Sequence, residues 1–237
     1  MRKPALFAAI LSLSTLPFTA PPAHEIDWIL GQPIMNPQQL WTLMDDKDLG
    51  AAAGDYSAMD VQMARLIYTP SPERTRANLA SFVEKTRTTD PAGAAQMEQQ
   101  FATTDVIGAI GAAMLESGLN KDNIADAYTV WAINAWGAVH GDMTQTPPAT
   151  AIAVSQQTAM AFLQVPELVD ADDATKQEMA ESLLIQAALI IAAQEAAADD
   201  PALTKQLAAA VRQGAKASGL DLDAIRLTDT GFVPVKG

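Results

Sequence analysis

The sequence predicts an all-α fold: a compact multi-helix bundle of about seven helices with a small β-hairpin or ribbon at the C-terminus. Three observations predict it. Alanine, the strongest helix former, fills 46 of the 237 positions. Helix starts are marked again and again by a capping side chain or by proline, the groups that suit a helix end with unpaired N–H groups. Only the last stretch changes character, becoming β-branched and aromatic around a glycine-containing turn.

Taken in order, Ser71-Pro72 opens a helix running to about Thr88, and Asp90-Pro91 opens a second that ends near Phe101. Thr104 or Asp105 caps a third, closed by Gly118. Asn123, with Asp126 three positions on, gives a capping-box-like start to a fourth, which ends at Gly141. Pro147-Pro148 starts a fifth, to about Val165. Asp172 or Asp173 caps the longest, to about Ala198, and Asp200-Pro201 opens the last, closed by Gly219. Ile225 to Leu227 and Phe232 to Val235 flank Thr228 to Gly231, with Gly231 placed for positive φ, a hairpin signal. Leu66-Ile67-Tyr68 is the other β-like run. A two- or three-stranded ribbon joining it to the hairpin would tie the two ends of the domain together.

Two helices are predicted to lie inside. In Ile124 to Val139 one apolar face carries Ile124, Ala127, Tyr128, Trp131 and Ala135, and another carries Val130, Ile133 and Gly137. Met179 to Ala193 is apolar nearly all round, a pattern that belongs to a buried helix or a membrane span. Glu181, Gln186 and the roughly 15-residue length argue against spanning. Alanines on the surrounding helices favour close crossings over a long heptad seam.

The N-terminus reads as an export signal. Arg2 and Lys3 precede an apolar stretch, Ala5 to Leu16, that is shorter than the roughly 20 residues a bilayer span requires. Pro17 breaks it, and Ala20 or Ala23 stands before the cleavage point. The expected organisation is a signal peptide over 1–23, a loosely ordered lead-in over 24–64 with a short helix around Gln38 to Met44, and a helical domain over 65–237. With the leader removed, no integral membrane span is expected. A net charge of −13 repels nucleic acid and anionic lipid. The chain has no cysteine, which excludes a disulfide scaffold, a thiolate metal site and a Cys nucleophile.

Candidate sites are few. The acidic runs Asp46, Asp48 and Gly50, Asp170, Asp172 and Ala174, and Asp221, Asp223 and Ile225 lack the alternating oxygen ligands and turn glycine of a calcium loop. They read as helix caps and solvated loops, and neither metal nor cofactor is expected. Glu116, before Ser117-Gly118 at a helix end, is the candidate catalytic residue. It resembles the Glu-Ser start of the lytic transglycosylase motif, in which a glutamic acid protonates a glycosidic oxygen, but that family's downstream Gly-Leu-Met-Gln element does not follow. His140, beside Gly141 at a helix end, suits the helix dipole without a catalytic role. Arg74, Arg76, Lys85 and Arg87 make the first helix basic, a solvated face that can pair with acidic neighbours. Tyr128, Trp131, Asn134 and Trp136 form the densest aromatic cluster. They are the candidate ligand- or partner-binding residues, with core packing as the competing reading; Asn134 must find partners if buried.

The segments YTPSPERTRANLASFVEKTR (Tyr68 to Arg87), FATTDVIGAIG (Phe101 to Gly111), NIADAYTVWAINAW (Asn123 to Trp136), KQEMAESLLIQAALI (Lys176 to Ile190) and GLDLDAIRLTDTGFVP (Gly219 to Pro234) resemble an uncharacterised family of exported bacterial proteins, a domain of unknown function. The resemblance runs from Tyr68 to Pro234 in one order. It implies a Gram-negative source and a periplasmic or secreted address, and it transfers no catalytic residue. The expected function is binding or interaction with a periplasmic or extracellular partner in the bacterial envelope. The alternative is a cell-wall glycan hydrolase or lytic transglycosylase-like enzyme using Glu116.

Overall fold

A computed structural model describes residues 62–235. The leader, most of the lead-in and the helix expected around Gln38 to Met44 lie outside the described residues. Those described form an all-α body ending in an antiparallel hairpin. Its helices are α1 (Pro72–Arg87), α2 (Pro91–Thr103), α3 (Val106–Glu116), α4 (Ile124–His140), α5 (Pro148–Phe162), α6 (Pro166–Val169), α7 (Asp173–Ala197) and α8 (Pro201–Ala217). A 3₁₀ turn, Leu222–Ala224, leads into β1 (Ile225–Thr228) and β2 (Gly231–Pro234).

The caps are the ones the sequence marks, and the structure decides between alternatives. Asp105 rather than Thr104 caps α3, accepting from the Gly108 N–H at 2.9 Å. Asp172 rather than Asp173 caps α7, accepting from Thr175 N–H at 2.8 Å. Asn123 caps α4 through Ala125 N–H at 2.9 Å. Asp126 does not complete a capping box: its carboxylate accepts from the Asn120 N–H at 2.8 Å and from the Ser155 hydroxyl on α5. Glycines close α3, α4 and α8 in the left-handed region, at Gly118 (φ 76°), Gly141 (φ 67°) and Gly219 (φ 80°). α5 stops at Phe162, short of Val165, because Pro166 starts a separate turn of helix, α6.

α4 and α7 are the two inner helices and share the most extensive helix–helix interface. Small side chains let them approach: Ala127, Ala135, Ala180 and Ala187 are each fully buried. α5, α8, α1 and α3 pack around this pair. α7 is long and apolar enough to cross a membrane by length and composition, with a mean hydropathy of 1.3. Here it is a core helix. Gln177 and Glu181, both buried, bind it to α1: Glu181 accepts from Thr75 Oγ1 (2.5 Å), Asn78 Nδ2 (2.6 Å) and Gln177 Nε2 (2.9 Å). The Gln177 carbonyl oxygen accepts from Ser71 N–H (3.0 Å) and Arg74 Nε (2.8 Å).

The ribbon is two-stranded, not three. β1 pairs with β2, Ile225 opposite Pro234 and Thr228 opposite Gly231. Leu66 to Tyr68 does not join it; Ile67 forms an isolated antiparallel bridge with Asn123, and Ile124 N–H donates to Leu66 O at 3.1 Å. The entry of the domain is therefore tied to the start of α4. The outer edge of β2 is instead paired by the Gln157 side chain of α5.

Candidate functional site

The site is a cavity of about 240 Å³ on the second face of α4. The two apolar stripes of α4 have different fates. Tyr128 and Trp131, ring centroids 5.3 Å apart, turn inward, with Tyr128 packed edge-on against Phe162 of α5. Val130, Ile133, Asn134, Trp136 and Gly137 face the cavity. The four residues singled out in the sequence are thus divided. Asn134 and Trp136 line the cavity, while Tyr128 and Trp131 are part of the core.

Core packing does not satisfy the polar tips of that second pair. The Tyr128 hydroxyl and the Trp131 Nε1–H are buried and have no hydrogen-bond partner among the described residues. Burial also pushes the Tyr128 phenol well above its ordinary pKa. Asn134 is different. Its Nδ2 donates to Val130 O at 2.7 Å, one turn back.

Trp136 joins the cavity to the hairpin. Its Nε1–H donates to Ile225 O at 3.2 Å, and its ring packs near Phe232 of β2, centroids 6.5 Å apart. His140, one turn later, stacks on the same indole at 4.5 Å, and its Nδ1 lies 2.9 Å from Trp136 O, so Nδ1 carries the proton and donates. α5 fixes the other strand. Gln157 acts as a β partner: its Nε2 donates to Phe232 O at 3.0 Å and its Oε1 accepts from Phe232 N–H at 2.9 Å. Gly231, at φ 103°, leaves room for this amide, because a Cβ there would collide with Gln157 Oε1. Held at both strands, the hairpin presents Leu227, Thr228 and Asp229 as one wall.

The opposite wall is the loop between α4 and α5, residues 142–147. It lies directly on Gly137, where a Cβ would come within 2.6 Å of Asp142 O. Asp142 shapes the loop by accepting from the N–H (2.9 Å) and hydroxyl (2.6 Å) of Thr144. These bonds, with a smaller contribution from nearby His140, hold its carboxyl below the ordinary Asp value. Met114, Ser117 and Leu119 from the end of α3, Thr150 and Ala151 from the start of α5, and Ile191 and Gln194 from α7 complete the lining.

Large apolar side chains stand exposed around the opening. Met143, which lines the cavity, is 40% exposed. Ile152, next to lining residue Ala151, is 39% exposed. Solvent-facing apolar groups gathered beside a concavity are what a ligand would cover.

The remaining sequence candidates lie elsewhere. Glu116 is exposed at the end of α3 and does not line the cavity, although its neighbour Ser117 does. The basic residues of α1 are partly paired: Arg87 with Glu98 (2.9 Å) and Glu84 (3.2 Å), Lys85 with Glu178 (3.8 Å). Two of the acidic runs resolve into caps and pairs: Asp170 binds Arg65 (2.6 Å), Asp172 caps α7 and Asp223 holds Arg212 (2.7 Å), while Asp46, Asp48 and Gly50 lie outside the described residues. Among the described residues no three His, Asp or Glu side chains converge as a metal site. Sequence reasoning missed the loop over 142–147, Gln194 and the hairpin tip as cavity walls. The available signal was the unexplained second apolar face of α4.

A family model described as a family of unknown function (DUF6683) matches residues 45–234. Its span takes in every described element from α1 to β2. No curated protein and no solved structure matches the chain.

Proposed function

We propose, since the chain belongs to the DUF6683 family of unknown function, that it is a binding module of the bacterial envelope whose working part is the cavity beside Trp136. The observation that carries this reading is the cavity's construction. Segments from α3, α4, the α4–α5 loop, α7 and the hairpin surround about 240 Å³ that none of their side chains fills. A concavity of this size, with apolar walls, a few polar groups and a mouth open to solvent, has the build of a ligand site. Its chemistry fits binding: apolar walls from Ile133, Trp136, Ile191 and Leu227, and orienting amides from Asn134 and Gln194.

The leader-like start, Arg2 and Lys3 followed by Ala5 to Leu16, supports export to the periplasm or medium of a Gram-negative bacterium. An acidic chain without cysteine suits that compartment. A ligand-observed NMR screen of a fragment library against the full chain tests the binding reading. Hits are expected that lose affinity in Trp136→Ala, which removes a wall, and in Gln194→Trp, which fills the space. Hits that bind both variants as they bind the parent chain would refute the cavity as the site.

A further inference from the structure

We infer that the ligand of this cavity is a small organic cation, an amine carried on a compact apolar body; the inference rests on the binding reading above. The lining carries two titratable groups, Asp142 and Asp229, and no Lys, Arg or His. They come from separate walls, Asp142 from the α4–α5 loop and Asp229 from the hairpin tip, so the acidic character belongs to the opening and not to one loop. Both are exposed, which places the charge at the rim and leaves the apolar walls inside. The Thr144 bonds hold the Asp142 carboxyl below its ordinary value. A carboxylate or phosphate ligand would meet like charge here with no cation in the lining to offset it.

The apolar part of the ligand has its own surface. Ile133, Trp136, Ile191 and Leu227 line the interior, and Met143 stands 40% exposed at the edge. Asn134 and Gln194 add side-chain amides to the lining, whose carbonyl oxygens can accept from an ammonium. The chain's net charge of −13 adds a long-range attraction for cations. A single exposed carboxylate would contribute little. Two at the mouth of a low-dielectric cavity, in a field of the same sign, are enough to select the charge of the ligand.

Three probes matched in shape test this: phenethylamine, 3-phenylpropionamide and 3-phenylpropionate, titrated into the full chain at low salt and followed at the Trp136 indole N–H by NMR. Phenethylamine is expected to bind about tenfold more tightly than the amide, with the carboxylate weakest. Raising salt should narrow the gap, because exposed charges are screened over about 10 Å at 0.1 M. The double variant Asp142→Asn and Asp229→Asn, in which the new amide at position 142 keeps an acceptor for Thr144, should bring amine and amide within about twofold; an unchanged melting temperature confirms that it folds. Equal binding of amine and amide by the parent chain, lost in Gln194→Trp, would overturn the cation inference and leave the cavity as a binding site. Failure of all three probes would also overturn it, while the fragment screen separately decides whether the cavity binds at all.

Discussion

Asp126 shows how one side chain can be read correctly as to place and wrongly as to partner. The Asn-x-x-Asp spacing marks the start of α4, and α4 starts there, but the carboxylate is 7% exposed and holds the Asn120 N–H and the Ser155 hydroxyl. Ser155 is 29 residues away, and no local spacing reveals such a contact. Burial raises the folded-state pKa of Asp126, and the two hydrogen bonds oppose this only in part. For an acid whose folded value is raised, the native state holds the proton more tightly. Its contribution to stability is full below the ordinary Asp value and is lost as pH rises through the folded value. Asp126→Asn should therefore match or exceed the parent in stability at pH 7, and the parent should gain on it as the pH falls toward 4. Asp126→Ala, which takes the acceptor from the Asn120 N–H and the Ser155 hydroxyl, should lose about 1–3 kcal/mol in urea unfolding. Gly137 is the other residue-scale test. A methyl there meets Asp142 O at 2.6 Å, so Gly137→Ala should cost about 1–3 kcal/mol and displace the loop that walls the cavity.

At the scale of elements, helices were legible because their ends are local chemistry. Seven helices of eleven or more residues stand among the described residues, each started by a residue the sequence marks. What joins elements was not legible. α6 and the 3₁₀ turn are too short to leave a periodic signal. The third strand expected from Leu66 to Tyr68 instead bridges Asn123, since strand pairing is chosen by tertiary position as much as by composition. The α1–α7 seam was equally hidden: Glu181 reads as a residue that opposes membrane spanning, and it is the acceptor for Thr75, Asn78 and Gln177. Glu181→Ala should cost about 2–4 kcal/mol, because it removes a buried acceptor shared by three donors, and should speed hydrogen exchange in α1. Gln157→Ala removes the two bonds that carry β2, at about 1–2 kcal/mol. Faster exchange is expected in the hairpin, with the α4–α7 core amides unchanged.

Across the whole molecule, the inner pair of helices follows from hydropathy, whereas the cavity does not. Its walls come from segments that are distant in the chain and individually unremarkable, and only Asn134 and Trp136 were identified beforehand among its lining. The aromatic cluster looked like one site because Tyr128, Trp131 and Trp136 are close in sequence. Helical geometry sends Tyr128 and Trp131 to the core and Trp136 to the cavity, where it also anchors β1. The address can be checked independently: expressed in a Gram-negative host, the chain should appear in the periplasm or medium with a new N-terminus after Ala20 or Ala23. A crystal structure of the chain grown with phenethylamine tests the central claim most directly. The account predicts density for the amine within the cavity, its ring against Ile133 and Trp136 and its nitrogen toward Asp142 and Asp229. A cavity closed by its own side chains, or the amine bound only outside it, would contradict the account.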